Sequence, residues 1–198
     1  MNEERLTGVK IGVVLTGSHC TMDAARQQMT QLKQAGAIIY PIISSTVDTT
    51  DNRFYPVAEL KQFLRGISDQ PIINTIVGAE PIGPGRWLDL VVVMPATGNT
   101  IAKLANGIVD TPALMAIKAH LRNQRPVVIA ISTNDALGIN ARNLGALLNM
   151  KNIYFVPFRQ DDPYQKGNSL VANLDQVVDT AVCALQGKQL QPLILGTL

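Results

Sequence analysis

The chain has 198 residues, 46% hydrophobic and 16% charged, which is enough apolar material for a full core and too little charge for disorder. Its 17 Lys and Arg stand against 15 Asp and Glu, leaving a formal charge of +2. With no long run of either sign, a basic face for nucleic acid or an anionic membrane is excluded. No stretch approaches the roughly 18 uninterrupted apolar residues of a membrane span. Residues 1–8 carry Glu3 and Glu4 and no apolar signal core, which speaks against export and for a cytoplasmic protein. The length sets an expectation of a single domain over residues 1–198. Cys20 and Cys183 lie far apart and have only His19 and His120 beside them, so no disulfide framework and no His/Cys metal centre is expected.

The pattern from the N-terminus is an alternation. Residues 9–15 are β-branched and too few for a helix, so they predict a strand. After Thr16-Gly17-Ser18-His19, the apolar residues Met22, Ala25, Met29 and Leu32 recur three and four apart. That spacing predicts an amphipathic helix, with Gly36 as its C-cap. A second strand over 37–43 ends in Ser44-Ser45-Thr46, at the head of a long polar stretch that runs to Asn52. Residues 67–87 are irregular, broken by Gly78, Pro81, Gly83, Pro84 and Gly85. Residues 88–94 are nearly all apolar, as a strand buried on both faces should be.

Helices are then predicted on Ile101, Leu104, Ala105 and Ile108, and over 113–121. A fourth strand spans 126–131, followed by a helix on Leu144, Leu147 and Leu148 and a fifth strand over 153–156. Leu174, Val177, Val178, Ala181 and Leu185 form a last amphipathic helix. Strands separated by helices with short connections pair in parallel through right-handed crossovers. The expected fold is an α/β three-layer, doubly wound parallel sheet of Rossmann or flavodoxin type. Ligands of such sheets sit outside the carboxyl ends of the strands. This singles out the loops at 16–20, 44–54, 95–100 and 132–138.

At the first of these loops, Gly17 lets the backbone approach a ligand, Ser18 offers a hydroxyl, and the helix that follows presents unpaired amides to an anion. The same residues also read as a capped helix behind a polar turn. There is no GxGxxG, and strand two ends in hydroxyls where an acidic ribose partner would stand. There is also no GxxxxGK[ST] loop. A mononucleotide phosphate, with hydroxyls from Ser44 to Thr46, fits this loop better than a dinucleotide. In the third loop, Pro95, Ala96, Thr97, Asn99 and Thr100 are small or polar. They leave room for a flat ring, though they also make a well-capped helix start.

The run Pro95-Ala96-Thr97-Gly98-Asn99-Thr100-Ile101-Ala102-Lys103-Leu104-Ala105-Asn106-Gly107-Ile108 resembles the PASANT-type motif of the flavoprotein superfamily, which holds the flavin-dependent cysteine decarboxylases. Further stretches resemble the family of dipicolinate synthase B subunits. They are Thr16-Gly17-Ser18-His19-Cys20, Arg122-Asn123-Gln124-Arg125-Pro126-Val127-Val128 and Ile131-Ser132-Thr133-Asn134-Asp135-Ala136-Leu137-Gly138. Lys151-Asn152-Ile153-Tyr154-Phe155-Val156-Pro157-Phe158 and Gly187-Lys188-Gln189-Leu190-Gln191-Pro192 complete the set, so the resemblance spans nearly the whole chain.

The resemblance implies a flavoprotein fold, FMN as cofactor, and a partner A subunit that carries NAD(P). It implies oxidation of dihydrodipicolinate to dipicolinic acid in the mother cell of a sporulating bacterium, and self-assembly of the chain. Residue by residue, Gly17, Ser18 and the following His19 match the phosphate loop, and Ser44 or Ser45 the hydroxyl after strand two. Pro95, Ala96, Thr97, Asn99 and Thr100 match the flavin-contacting loop, with Ser132 and Thr133 beside it. Asn134 falls where the decarboxylases place a substrate-binding Asn and is the expected catalytic residue.

There are departures from the decarboxylases, which take a His from the region before strand three. Here Gln70-Pro71-Ile72-Ile73-Asn74-Thr75-Ile76 has none, and no Cys follows strand four or five in a lid. Cysteine decarboxylation is therefore disfavoured. Two alternatives stay open: a flavin-fold scaffold that positions its partner without redox chemistry of its own, and a flavin-dependent decarboxylase of another substrate.

A dicarboxylate needs cations, for which Arg142, Lys103 and Arg53 are candidates. His19 reads either as a phosphate or substrate contact or as a solvated turn residue. His120, late in its helix beside Arg122, reads as a surface residue or as a favourable charge at a helix C-terminus. Cys20 reads as a buried or half-buried thiol and Asp161-Asp162-Pro163 as a solvated turn. Trp87 is expected to pack, and Phe54 to stack on a ring or pack.

Overall fold

The computed structural model describes residues 4–196. In chain order, β1 (Lys10–Leu15) leads through a one-turn 3-10 segment at His19–Thr21 into α1 (Met22–Gln34). Then come β2 (Ile38–Ile43), α2 (Ser45–Thr49), α3 (Val57–Ile67), α4 (Ile76–Ala79) and α5 (Ile82–Gly85). β3 (Leu90–Ala96), α6 (Gly98–Ala105), α7 (Pro112–Leu121), β4 (Val127–Thr133) and α8 (Ala141–Leu148) form the middle of the molecule. The chain closes with β5 (Ile153–Phe155), β6 (Phe158–Gln160), β7 (Leu170–Ala172) and α9 (Val177–Leu185).

The first five strands pair in parallel in the order β2-β1-β3-β4-β5. This is the flavodoxin-like winding, whose direction reverses between β1 and β3. α1 and α9 lie together on one face; α7, with α4 and α5 against it, covers the other. Strands covered on both sides lose the alternation of a half-exposed sheet. All seven residues of β3 are buried, as are Ile11, Val13, Val14 and Leu15 of β1 and Val127 to Ile131 of β4. α1 turns Met22, Ala25, Met29 and Leu32 inward, and Gly36 leaves the helix at φ +92°, a conformation that a side chain would resist.

Three differences from the sequence reading have physical causes. The sheet is mixed: β7 pairs antiparallel with the end of β4, and β6 with β7, because a hairpin loop joins these two strands where the others have a crossover. β3 begins at Leu90 and runs past Met94 through Pro95 to Ala96, with its register on β4 shifting between Val93 and Ala96. The carbonyl of Pro95 stays in use, accepting the Thr16 hydroxyl at 2.7 Å. Finally, α2 forms inside the stretch that reads in the sequence as a polar loop, and α3 lies between that stretch and the irregular segment, where the sequence reading assigns no element. Leu60, Leu64 and Ile67 bury one face of α3, while Arg26 of α1 lies over the Phe63 ring at 4.8 Å and pairs with Glu59 at 2.9 Å.

Two margins of the sheet, along β2 and along β6, are partly occupied. Along β2, the Pro41 carbonyl accepts from Ile73 N, Ile43 N donates to the Ile73 carbonyl, and the Ile39 carbonyl accepts the Ser68 hydroxyl. Along β6, Phe158 N donates to the Leu193 carbonyl, and Leu195 N donates back to Phe158. Among the described residues, no helix is long and apolar enough to cross a membrane.

Candidate functional site

The winding reverses where β1 and β3 end side by side, and two threonines join the ends. Thr16, 2% exposed, donates to the Pro95 carbonyl and accepts from Thr97 N at 3.2 Å. Thr97 then caps α6, its hydroxyl accepting from Thr100 N at 3.3 Å. Ser44 caps α2 in the same way through Val47 N, and Thr111 caps α7 through Leu114 N, with Pro112 at the first helical position. The amino ends of α2, α6 and α7 thus converge on one cavity of about 330 Å³. Its walls carry the hydroxyls of Ser44, Ser45, Thr46, Thr97, Thr100 and Thr111, together with Gly17 and Asn99, and no charged side chain. First-turn amides have no carbonyl within their own helix, so this cavity gathers neutral donors and three positive dipole ends. That chemistry suits a phosphate monoester.

A larger cleft of about 810 Å³ shares Gly17 and Thr97 with the first cavity and opens beside it. Its floor is a triangle of hydroxyls: Ser18 to Thr21 at 2.8 Å, Ser18 to Ser132 at 2.9 Å and Thr21 to Ser132 at 3.0 Å. One wall is His19, Arg53 and Phe54; the other comes from the loop between β6 and β7, with Asp161 and Lys166. Asn134 lies at the end of β4, exposed, on the same cleft. Behind it runs a chain of amides and a carboxylate. Thr133 donates to Asp135 at 2.5 Å, Asn140 to Asp135 at 2.8 Å, and Asn143 to Asn140 at 2.8 Å. Gly98 is held against this chain so closely that a Cβ there would lie 2.5 Å from the Asp135 carboxylate.

His19 is fixed from behind. Its Nδ1 lies 2.8 Å from the Tyr55 hydroxyl and 3.2 Å from Asn52 Nδ2. The Asn52 carbonyl oxygen is taken by the amides of Phe54 and Tyr55, so its NH₂ must face the imidazole and donate. Nδ1 is therefore an acceptor, and Nε2, on the Gly17 side, carries the hydrogen. Burial raises the pKa of Tyr55 above that of an ordinary phenol, which keeps its hydroxyl a donor.

The residues expected at the site divide between the two cavities. Gly17, Ser44, Ser45, Thr97, Asn99 and Thr100 line the smaller. Ser18, His19, Ser132, Thr133 and Asn134 line the larger, so Ser18 turns away from the phosphate-sized cavity into the hydroxyl triangle. Pro95 and Ala96 are buried in β3 and line neither; their part is the backbone that holds Thr16.

Of the three candidate cations only Arg53 reaches the cleft: Lys103 pairs with Asp110 at 2.6 Å, and Arg142 is exposed on α8. His120 is not a surface residue. It is 1% exposed, its Nε2 donates to the Pro126 carbonyl at 3.1 Å, and burial lowers its pKa to about 4. Cys20 is exposed on the cleft rather than half-buried. Trp87 packs edge-on against Tyr40, and Phe54 stands exposed under the Arg53 guanidinium. Thr111 and Lys166 are cavity residues that sequence reasoning misses. Thr-Pro ahead of an apolar run does signal a helix start, but nothing local shows that Lys166 is folded back to the cleft.

The sequence pattern of the family described as Flavoprotein matches residues 1–186. The chain is 47% identical over 190 residues to the B subunit of dipicolinate synthase from Bacillus subtilis (strain 168), covering 96% of this chain and 95% of that protein. The crystal structure of the dipicolinate synthase B subunit from Bacillus halodurans C is 45% identical, with a TM-score of 0.90 over 98% of this chain and 99% of that one. The FMN-dependent cysteine decarboxylase TvaF from thioviridamide biosynthesis shares the fold at 20% identity, with a TM-score of 0.64 over 90% of this chain and 99% of that one.

Proposed function

As the chain belongs to the flavoprotein family, we propose that it is the flavin-fold subunit of an oxidoreductase that converts dihydrodipicolinate to dipicolinate. The observation that carries this reading is its 47% identity, over 96% of its length, to a dipicolinate synthase B subunit. In this reading residues 1–198 act as one domain, assemble with copies of themselves, and work with an A subunit that holds NAD(P). The setting is the mother-cell cytoplasm during sporulation, where dipicolinate is made.

The smaller cavity supports FMN as the cofactor, because its donor set suits a phosphate monoester without spending a cation. Gly17, Ser44, Ser45 and the cap of α6 would hold the phosphate, with Thr97, Asn99 and Thr100 beside the ribityl chain. Bound FMN supplies a two-electron acceptor. The residues of this chain do the rest by position. His19 presents Nε2–H near Gly17, and Asn134 offers an amide to the substrate in the larger cleft. The hydroxyls of Ser18, Thr21 and Ser132 replace water along its floor. The overall reaction takes a hydride and a proton from the dihydro ring; the hydride would end on the oxidised nicotinamide held by the A subunit, giving NAD(P)H, and the proton would pass to solvent.

Two measurements test the reading. The purified chain should retain a flavin spectrum after incubation with FMN and desalting, and riboflavin, which lacks the phosphate, should wash out. Chain and A subunit together should form dipicolinate from dihydrodipicolinate, with neither sufficient alone. Equal formation without this chain would overturn the proposal. Full formation by the pair with a chain that refuses FMN would leave a positioning role without redox chemistry.

A further inference from the structure

The two cavities are contiguous, yet their charge is divided. The smaller has no charged side chain on its walls, whereas the larger has Arg53 and Lys166, drawn from two different loops, and Asp161. Among the described residues, the Arg53 guanidinium has no carboxylate partner. It lies 4.9 Å over the ring of Phe54, which is 47% exposed and lines the same cleft. Lys166 is paired with Asp161 at 2.8 Å, but both side chains are largely in solvent, and an exposed ion pair of this kind contributes little and is easily exchanged.

We propose that the larger cleft is a subsite for two carboxylates, in which Arg53 and Lys166 each take one carboxylate of a small planar ring. The identity of that ring rests on the function proposed above; the placement of the charges rests on the cleft alone. Arg53 presents a planar fork that matches a carboxylate edge, and Phe54 beneath it holds the guanidinium in place and offers a face to an aromatic ring. Lys166 leaves Asp161 for the incoming anion. Asp161 is then a competitor of the ligand, which gives it an effect of opposite sign to that of its partner. Asn134 and the hydroxyl triangle of Ser18, Thr21 and Ser132 line the same cleft and supply neutral hydrogen bonds beside the two cations.

Calorimetric titration of the purified chain in metal-free buffer with pyridine-2,6-dicarboxylate tests this directly, with pyridine-2-carboxylate as the one-carboxylate control. Arg53→Gln and Lys166→Gln should each weaken the dicarboxylate by about tenfold, as loss of one charged hydrogen bond implies. Asp161→Asn should tighten it several-fold. The monocarboxylate should bind the native chain about tenfold more weakly than the dicarboxylate. Unchanged far-UV circular dichroism and thermal midpoints in all three variants would show that they fold. Unchanged affinity in both Arg53→Gln and Lys166→Gln, or no binding by the native chain, would overturn the subsite. Binding that responds as expected while the pair makes no dipicolinate would sink the functional reading and leave the subsite standing.

Discussion

Gly98 shows how tightly one position is specified. A Cβ there would stand 2.5 Å from Asp135 Oδ1, 2.6 Å from Thr133 Oγ1 and 2.9 Å from Asn140 Nδ2. All three atoms are tied into one hydrogen-bonded chain, so none can shift without disturbing the bonds of the others. Gly98→Ala should therefore destabilise the protein by roughly 1–3 kcal/mol, the usual cost of overpacking, despite the better helix propensity of Ala. Urea denaturation would read this as a lower midpoint at unchanged slope.

His120 carries a different kind of consequence. Burial sets its folded pKa at about 4, below the unfolded value of 6.5. Between these values the unfolded chain binds a proton that the folded chain refuses, so stability falls as pH drops from about 6.5 towards 4 and levels off below. The full loss is on the order of 3 kcal/mol. His120→Gln keeps a donor for the Pro126 carbonyl and removes the titration, so its stability should depend less on pH across that window. Denaturation midpoints at pH 7 and pH 4.5 measure the difference. At this scale sequence reading is weakest. The His120 environment depends on the buried end of α7 meeting Pro126, and neither the burial nor the partner is visible in Ala119-His120-Leu121.

The elements are more legible than the residues. The five parallel strands and the helices α1, α6, α7, α8 and α9 are announced by β-branched runs and by spacings of three and four. α3 has the same signal in Leu60, Leu64 and Ile67, but it is masked, because the helix follows a polar stretch and starts at Pro56 without a capping hydroxyl. β6 and β7 are illegible for a sounder reason. Strands of three residues show no period, and their partner is the end of β4, far away in sequence. One wall of the larger cleft is hidden with them, since the loop between them brings in Asp161 and Lys166.

Caps are legible where Thr stands ahead of an apolar run, as at Thr97 and Thr111, whereas the Ser44 cap opens a polar stretch and is not. All three caps bring helix ends to the smaller cavity. Thr111→Ala should cost about 1 kcal/mol of stability, and should weaken FMN retention several-fold by loosening one of the three donors' supports. Thermal denaturation with and without FMN separates the two effects.

For the whole molecule, a modest net charge of +2 leaves no broad field to steer an anionic ligand from afar. Recognition therefore falls to short-range chemistry at the carboxyl ends of the strands, where the doubly wound order places it. The winding can be anticipated because each crossover is short and each buried strand declares itself. The charge division between the two cavities cannot, because it is made by loops that converge from Arg53 to Lys166 across more than half of the chain.

The covered margins of the sheet decide how other chains can meet this one. An open strand edge invites a foreign strand to extend the sheet, and it is also where sheets stick to one another. On the β2 side Pro41 has no amide to offer, and the carbonyls of Ile39 and Pro41 and the amide of Ile43 are engaged by Ser68 and Ile73. On the β6 side the chain lays its own residues 193–195 beside Phe158. Backbone zippering is closed off along both engaged stretches, which guards the molecule against runaway stacking. Assembly there must be read by side chains, so its specificity can be tuned by substitution without disturbing the sheet.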